Sequence, residues 1–147
     1  MNLLAFDTST ETLSVAVQRG ASVWEHTGPG GAQASHGLLA SIQTLLGRAG
    51  LDLSQLDALA FGRGPGSFTG LRIGLSAARG LALARGLPVI GVPTLLAVSL
   101  AAPATSAVSV LLDARRDEAY FGRFSGPGLP LGEAQVLPMA AARAAII

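Results

Sequence analysis

The chain has 147 residues, half of them hydrophobic, and its ten basic and nine acidic residues leave a formal charge of +1. This composition indicates a folded globular chain, and it argues against a disordered segment or a basic nucleic-acid-binding surface. The sequence has no Cys and every basic residue is Arg, which excludes disulfides, thiolate nucleophiles and chemistry that needs a lysine.

The sequence shows neither a signal peptide nor a membrane span. The amino terminus has no basic region and reaches Asp7 within seven residues, unlike a signal peptide. The longest uncharged run, 86–112, is interrupted by three prolines, which favours buried strands and a helix over a spanning helix. We therefore expect a cytoplasmic protein without membrane contact.

The first hundred residues alternate between strand and helix patterns. Short apolar runs typical of strands lie at 3–6, 13–17, 21–26, 58–61 and 88–92. Helical periodicity occupies 35–49, 67–85 and a stretch from Pro93 or Thr94 to near Pro103. Gly50 is expected to end the first helix and Ser67 to cap the second. The order βββαβαβα predicts an α/β domain with helices beside a mixed sheet.

After Pro103 the pattern starts again. The run 108–113 is an apolar strand that ends in Asp and a polar turn, as 3–7 does, so we expect an incomplete second copy of the fold. The predicted domains are 1–103 and 104–147. The second has only 44 residues and its tail, 139–147, looks like a helix cut short, so we expect a truncated chain.

The segment Gly62–Gly74 predicts a strand, a tight turn and a helix start. Without a lysine it is no P-loop, and Pro65 and Thr69 stand where a nucleophile elbow around Ser67 would need glycines. Two uses remain: anion binding at the amides of residues 67–69, or close packing. Close packing is favoured, because three interior glycines of the following helix would each cost about 1 kcal/mol relative to Ala.

Several segments resemble the TsaB (YeaZ) family over essentially the whole chain. They are Leu4–Glu11, Ser35–His36, Gly62–Gly74, Pro88–Val92 and Leu111–Arg115. The resemblance implies an actin-like, ribonuclease H-like fold, shared with sugar kinases and heat-shock ATPases. Typical family members continue well beyond residue 147.

The resemblance also implies a function. Family members are non-catalytic accessory subunits that support a TsaD-like catalytic subunit, together with a TsaE-like ATPase, in threonylcarbamoyladenosine modification of tRNA. It implies no cofactor, a homodimer when the chain is alone, and contact with tRNA only through the complex. An older classification places the family among M22-like glycoproteases.

The partner is expected on the first two helices, because a helix that is apolar almost all round is buried on more than one side. The predicted contact residues are Leu38, Leu39, Ile42, Gly70, Leu71, Arg72, Ile73, Gly74, Leu75, Ala78 and Arg79. His36 is not expected to bind a metal, because Ala40 stands one turn later where a second His would be needed.

A candidate vestigial nucleotide or anion site comprises Asp7, Thr8, Ser9, Asp113, Gly66 and Ser67. In nucleotide-binding members of the superfamily two strand-end aspartates help to hold a divalent cation, while the simpler interpretation is that each Asp caps its own turn. A phosphotransferase or ATPase using Asp7 and Asp113 is therefore the alternative function. A peptidase acting through Ser67 is disfavoured, because that residue is expected to be a helix cap.

Overall fold

The first part of the chain forms a five-stranded mixed sheet. The structure, a computed structural model, describes residues 1–146. Strands β1 to β5 are Asn2–Asp7, Thr12–Arg19, Ser22–Pro29, Ala58–Gly62 and Val89–Val92. They lie in the order β3-β2-β1-β4-β5, with β1, β2 and β3 antiparallel and β4 parallel to both β1 and β5. The mixed sheet predicted from the sequence is confirmed.

Two helices, α1 at Ala34–Ala49 and α2 at Phe68–Arg85, pack on one face of this sheet. Gly50 ends α1 with φ of 64°, a left-handed conformation that glycine adopts without strain. Ser67 caps α2, since its side chain accepts a hydrogen bond from the Gly70 amide. The carboxyl end of α1 and the amino end of α2 therefore lie where the sequence predicts them.

The core of this unit lies between the helices and the sheet. Strand residues with even spacing, such as Leu4 and Phe6, point towards the helices and are buried. They meet the apolar stripe of α1, which includes Leu38, Ile42 and Leu45. The opposite face of the same strands carries smaller side chains that remain partly exposed.

A second compact unit comprises residues 64–66 and 93 onwards. Its elements are α3 at Thr94–Ser99, β6 at Val108–Arg115, β7 at Glu118–Gly126, β8 at Leu129–Pro130, β9 at Gln135–Pro138 and α4 at Met139–Ala144. In its own core Leu95 of α3 packs with Val110 and Phe124. This division differs from the predicted boundary after residue 103, because α3 packs on β6 and β7.

The second unit repeats the start of the first. β7 pairs antiparallel with β6 on one side and with β9 on the other, as β2 does with β1 and β3. α3 is shorter than predicted because residues 100–102 continue in tighter turns with hydrogen bonds to the third preceding residue. The predicted tail helix is present over Met139–Ala144, and Ile147 lies outside the described residues.

Candidate interaction surface on the first two helices

The glycines of the long motif let α2 pack directly on the turn that follows β1. A Cβ atom at Gly70 would overlap the carbonyl oxygen of Thr8, and one at Gly74 would overlap the Thr8 hydroxyl. At Gly62 it would overlap the Asp7 carboxylate. The predicted close approach is therefore present within this unit. The neighbours of these glycines are backbone and side-chain atoms of Asp7 and Thr8 in the turn after β1, and not another helix.

This packing closes the turn at residues 7–9. Thr8 and Ser9 are buried, and the Thr8 hydroxyl donates to the Gly70 carbonyl oxygen at 2.6 Å. The Ser67 amide donates to the Ser9 carbonyl oxygen at 2.7 Å. The Ser9 amide and hydroxyl both donate to Oδ1 of Asp7, at 2.7 and 2.5 Å. The Thr8 and Ser9 hydroxyls and the Ser9 and Ser67 amides are thus engaged by the chain itself, and anion binding at the remaining amides of residues 67–69 stays a prediction.

The second strand-end aspartate makes the same kind of turn. The Arg115 amide donates to Oδ1 of Asp113 at 2.8 Å, where β6 turns towards β7. Asp7 and Asp113 thus both make the turn-capping hydrogen bonds that the simpler interpretation predicts. The two residues lie in different units, and a shared cation site between them stays a prediction.

Ser67 has the position of a helix cap. Its hydroxyl oxygen accepts from the Gly70 amide at 3.1 Å, and the preceding Gly66 belongs to the turn between β4 and α2. His26 and His36 are exposed on β3 and α1. Among residues 1–146, no three His, Cys, Asp or Glu side chains are placed to hold a metal ion.

The contact between Gly74 and Thr8 predicts a rescue by double substitution. Gly74→Ala should destabilise the chain by about 2 kcal/mol, because its methyl group overlaps the Thr8 hydroxyl. Thr8→Ala alone should cost about 1 kcal/mol through the lost hydrogen bond. In the double variant the overlap is removed, so the total cost should be clearly below the sum of the single costs. Denaturant unfolding of the four chains measures this coupling, and additive costs would contradict it.

Only part of the predicted contact set lies on the surface. Leu38, Ile42, Gly70, Gly74 and Ala78 are buried in the unit, although Leu38 and Ala78 each line a groove beside α2. The predicted set therefore combines residues on the inner and outer sides of the two helices, and their contact with a partner stays a prediction. Leu39, Arg72, Leu75 and Arg79 are exposed, whereas Leu71 and Ile73 are partly exposed.

Apart from Leu71, the exposed and partly exposed residues of the predicted set line two different grooves. The first, called here the α1–α2 groove, has a volume of about 570 Å³ and is lined by Leu39, Phe68, Arg72, Ile73 and Ser76 among others. The second, the α2–β5 groove, is of similar volume and is lined by Leu75, Arg79, Leu83, Leu87 and Val89 among others. The predicted contact residues are therefore divided between the two sides of α2.

Phe68 is a prominent exposed residue outside the predicted contact set. Its side chain is 74% exposed at the first turn of α2, and the Arg72 guanidinium lies 5.3 Å from its ring centre. The two are four residues apart, the spacing at which side chains of one helix meet. This four-residue spacing of an aromatic and a cationic residue is the sequence signal from which the pair could have been predicted. An aromatic ring at the mouth of an apolar groove is a typical interface anchor.

The mixed sheet with helices packed on it defines an α/β protein with an actin-like, ribonuclease H-like fold. A family model described as TsaD: tRNA N6-adenosine threonylcarbamoyltransferase matches residues 27–134. The YeaZ structure from Pseudomonas aeruginosa superposes with a TM-score of 0.87 at 40% identity, over 93% of this chain and 67% of that one.

Two curated relatives identify the family of this chain more closely. The tRNA threonylcarbamoyladenosine biosynthesis protein TsaB of Escherichia coli is 40% identical over 127 residues, covering 84% of this chain and 55% of the relative. The protein of the same description from Haemophilus influenzae is 46% identical over 129 residues, covering 84% of this chain and 53% of the relative. The chain belongs to the TsaB (YeaZ) family, and it spans about half the length of these relatives. Among residues 1–146, no helix is long and apolar enough to cross a membrane.

Proposed function

We propose that this chain acts in tRNA threonylcarbamoyladenosine biosynthesis as a non-catalytic subunit that binds a TsaD-like catalytic subunit. The relatives' names support the pathway. The observation that carries the binding role is the apolar α1–α2 groove, which leaves Leu39 and Phe68 exposed at 57% and 74%. An apolar surface of this kind on a folded chain marks an interaction site.

The closed turn supports a non-catalytic role. Binding a phosphate at residues 7–9 would require amides and hydroxyls that point into free space. Here the Thr8 hydroxyl and the Ser67 amide are bonded to the chain's own carbonyl groups. The Ser67 hydroxyl, one of two hydroxyls in the motif, accepts a hydrogen bond from the Gly70 amide. This chain therefore contributes a surface, and the chemistry belongs to its partner.

The same proposed surface also bears on how the chain would assemble with a second copy, with a TsaE-like ATPase and with tRNA. A standard interface buries about 800 Å² on each partner, an area that two adjacent helices can supply. A second copy would use this surface when the TsaD-like subunit is absent, and a TsaE-like ATPase would join the larger complex. A formal charge of +1 argues against strong RNA binding by this chain alone, so tRNA would be held by the assembled complex.

Co-purification tests the proposal. The tagged 147-residue chain is expressed with its cognate TsaD-like protein, and the eluate is analysed on a sizing column with light scattering. We expect a complex with the combined mass of the two chains. A folded chain that never retains the TsaD-like protein would overturn the binding role.

Calorimetry distinguishes the proposed non-catalytic role from the nucleotide-binding alternative. Titration of the chain with ATP and Mg²⁺ should give no binding heat, because the turn after β1 is closed by α2. Asp7→Asn is the matched variant, as it removes the charge while keeping the shape of the side chain. Clear binding that Asp7→Asn abolishes would favour a phosphotransferase or ATPase and overturn the non-catalytic role.

A further inference from the structure

The two helices of the proposed partner surface carry positive charge and no negative charge. Arg48 lies on α1, Arg72, Arg79 and Arg85 lie on α2, and neither helix contains an Asp or Glu. The chain as a whole is almost balanced, with ten basic and nine acidic residues. The carboxylates that balance these arginines are therefore all in other segments of the chain.

Arg72 and Arg79 lie on the exposed side of α2. Phe68, Arg72, Leu75 and Arg79 are all exposed, and they follow one another at intervals of four, three and four residues. Side chains at these intervals share one side of a helix. Arg79 lies seven residues after Arg72, which is about 10 Å along a helix axis. Arg85, six residues further on, lies on another side of α2.

Neither Arg72 nor Arg79 is neutralised by the chain itself. Among residues 1–146, the two side chains form no ion pair with a carboxylate. The Arg72 guanidinium lies 5.3 Å from the centre of the Phe68 ring, an attraction that leaves its positive charge in place. In the α1–α2 groove the same arginine is joined by Leu39 and Ile73. A wholly apolar partner on this surface would therefore remove an unpaired charge from water, which is unfavourable.

This cost indicates the chemistry of the surface that binds here. An Arg guanidinium matches a carboxylate in shape and charge, since its planar donors can make two parallel hydrogen bonds. We infer, on the basis of the proposed function, that the TsaD-like subunit presents an apolar face with Asp or Glu carboxylates opposite Arg72 and Arg79. The exposed Leu39 and Leu75 favour such a protein face over an RNA backbone, because nucleic-acid interfaces are more polar.

The same arginines act against pairing with a second copy. In a symmetric pair both chains use the same patch, so each would bring Arg72 and Arg79 to the contact. Like charges brought together in an interface weaken it, whereas opposite charges speed association and select the partner. The surface therefore binds the acidic face of the TsaD-like subunit more tightly than it binds itself. Salt screens both effects, so it should weaken the first contact and strengthen the second.

Calorimetric titration at two salt concentrations tests the inference. The affinity for the cognate TsaD-like protein should fall about tenfold between about 0.05 M and about 0.5 M NaCl, because salt shortens the range of charge attraction. At the lower concentration Arg72→Gln should weaken binding about tenfold and flatten the salt dependence. Arg85→Gln is the matched control, since it removes the same charge from another side of α2, and its affinity should stay within about twofold of wild type.

The outcomes separate this inference from the proposed function. A complex whose affinity is unaffected by salt and by Arg72→Gln would overturn the inference and leave the TsaD-like partner in place. A folded wild-type chain that binds no TsaD-like protein would overturn both. Binding of tRNA to the chain alone that Arg72→Gln weakens as strongly would assign the arginines to RNA, and would also overturn the inference.

A second arm needs only this chain. The double variant Arg72→Glu and Arg79→Glu supplies an acidic face of similar shape, and its folding is checked by circular dichroism. In sedimentation equilibrium at low salt, wild type should associate with this variant about tenfold more tightly than with itself. Added salt should remove the difference. Equal affinities of the mixed and the wild-type pairs would overturn the inference, because the arginines would then play no part in selecting the partner.

Discussion

Gly70→Ala should destabilise the chain by about 3 kcal/mol or more, whereas Gly80→Ala should stabilise it by about 0.5–1 kcal/mol. Both glycines lie inside α2, so the intrinsic helical preference for alanine is the same for the two changes. At Gly70 the new methyl group overlaps the carbonyl oxygen of Thr8 and comes within 3.4 Å of the Gly31 Cα. At Gly80 nothing lies within 4 Å.

Chemical denaturation of the two variants and the wild type measures this difference. The neighbour at Gly70 is backbone, so the strain cannot be relieved by a change of rotamer, and α2 must move away from β1. Such a cost is a large fraction of the roughly 5–15 kcal/mol that usually stabilises a domain. Similar midpoints for the two variants would show that α2 does not rest on this turn.

The same geometry changes which substitutions can report on partner binding. A bulky residue at Gly74 would insert into the space of the Thr8 hydroxyl, with the Phe6 ring 3.8 Å away. Such a variant would unfold and would therefore also fail to bind a partner. Its loss of binding would say nothing about the outer surface of α1 and α2. Substitutions on the outer sides of the helices avoid this problem.

Local signals predicted most of the first unit. The caps Ser67 and Gly50 act through neighbouring backbone groups, and the apolar spacing of α1 reflects its contact with the sheet. β8 and β9 were not predicted. β8 has only two residues, and β9 is defined by its pairing with β7, as between Val136 and Tyr120, which no local pattern encodes. Pairing between distant segments is the part of a fold that periodicity cannot supply.

The candidate site was predicted less completely, for a geometric reason. The sequence predicts contact on the first two helices, and small residues such as Gly70 and large ones such as Leu75 both suggest contact there. Only the packed structure shows that Gly70 faces the Thr8 turn while Leu75 and Leu83 face outward. A helix with small residues on one side and leucines on the other does not reveal from its sequence which side the sheet will take.

A matched pair of leucines decides which groove the partner uses. Leu39→Glu should weaken retention of the TsaD-like protein by about thirtyfold or more, the loss of roughly 2 kcal/mol typical of an interface hot spot. Leu39 lines the α1–α2 groove, and the new carboxylate would be buried in the proposed apolar contact. Leu83→Glu places the same charge on α2 at a side chain that is 89% exposed, in the α2–β5 groove, and should leave binding nearly unchanged.

Surface plasmon resonance with the immobilised TsaD-like protein measures both variants. Glu is a good helix former and both positions are exposed, so each variant should keep its stability within about 0.5 kcal/mol of wild type. The opposite order, with Leu83→Glu weakened and Leu39→Glu intact, would place the partner in the α2–β5 groove. Equal losses in both variants would extend the contact across the whole outer side of α2. The pair thus separates a contact centred between the two helices from one centred on the edge of the sheet, because the two leucines differ in position and not in chemistry.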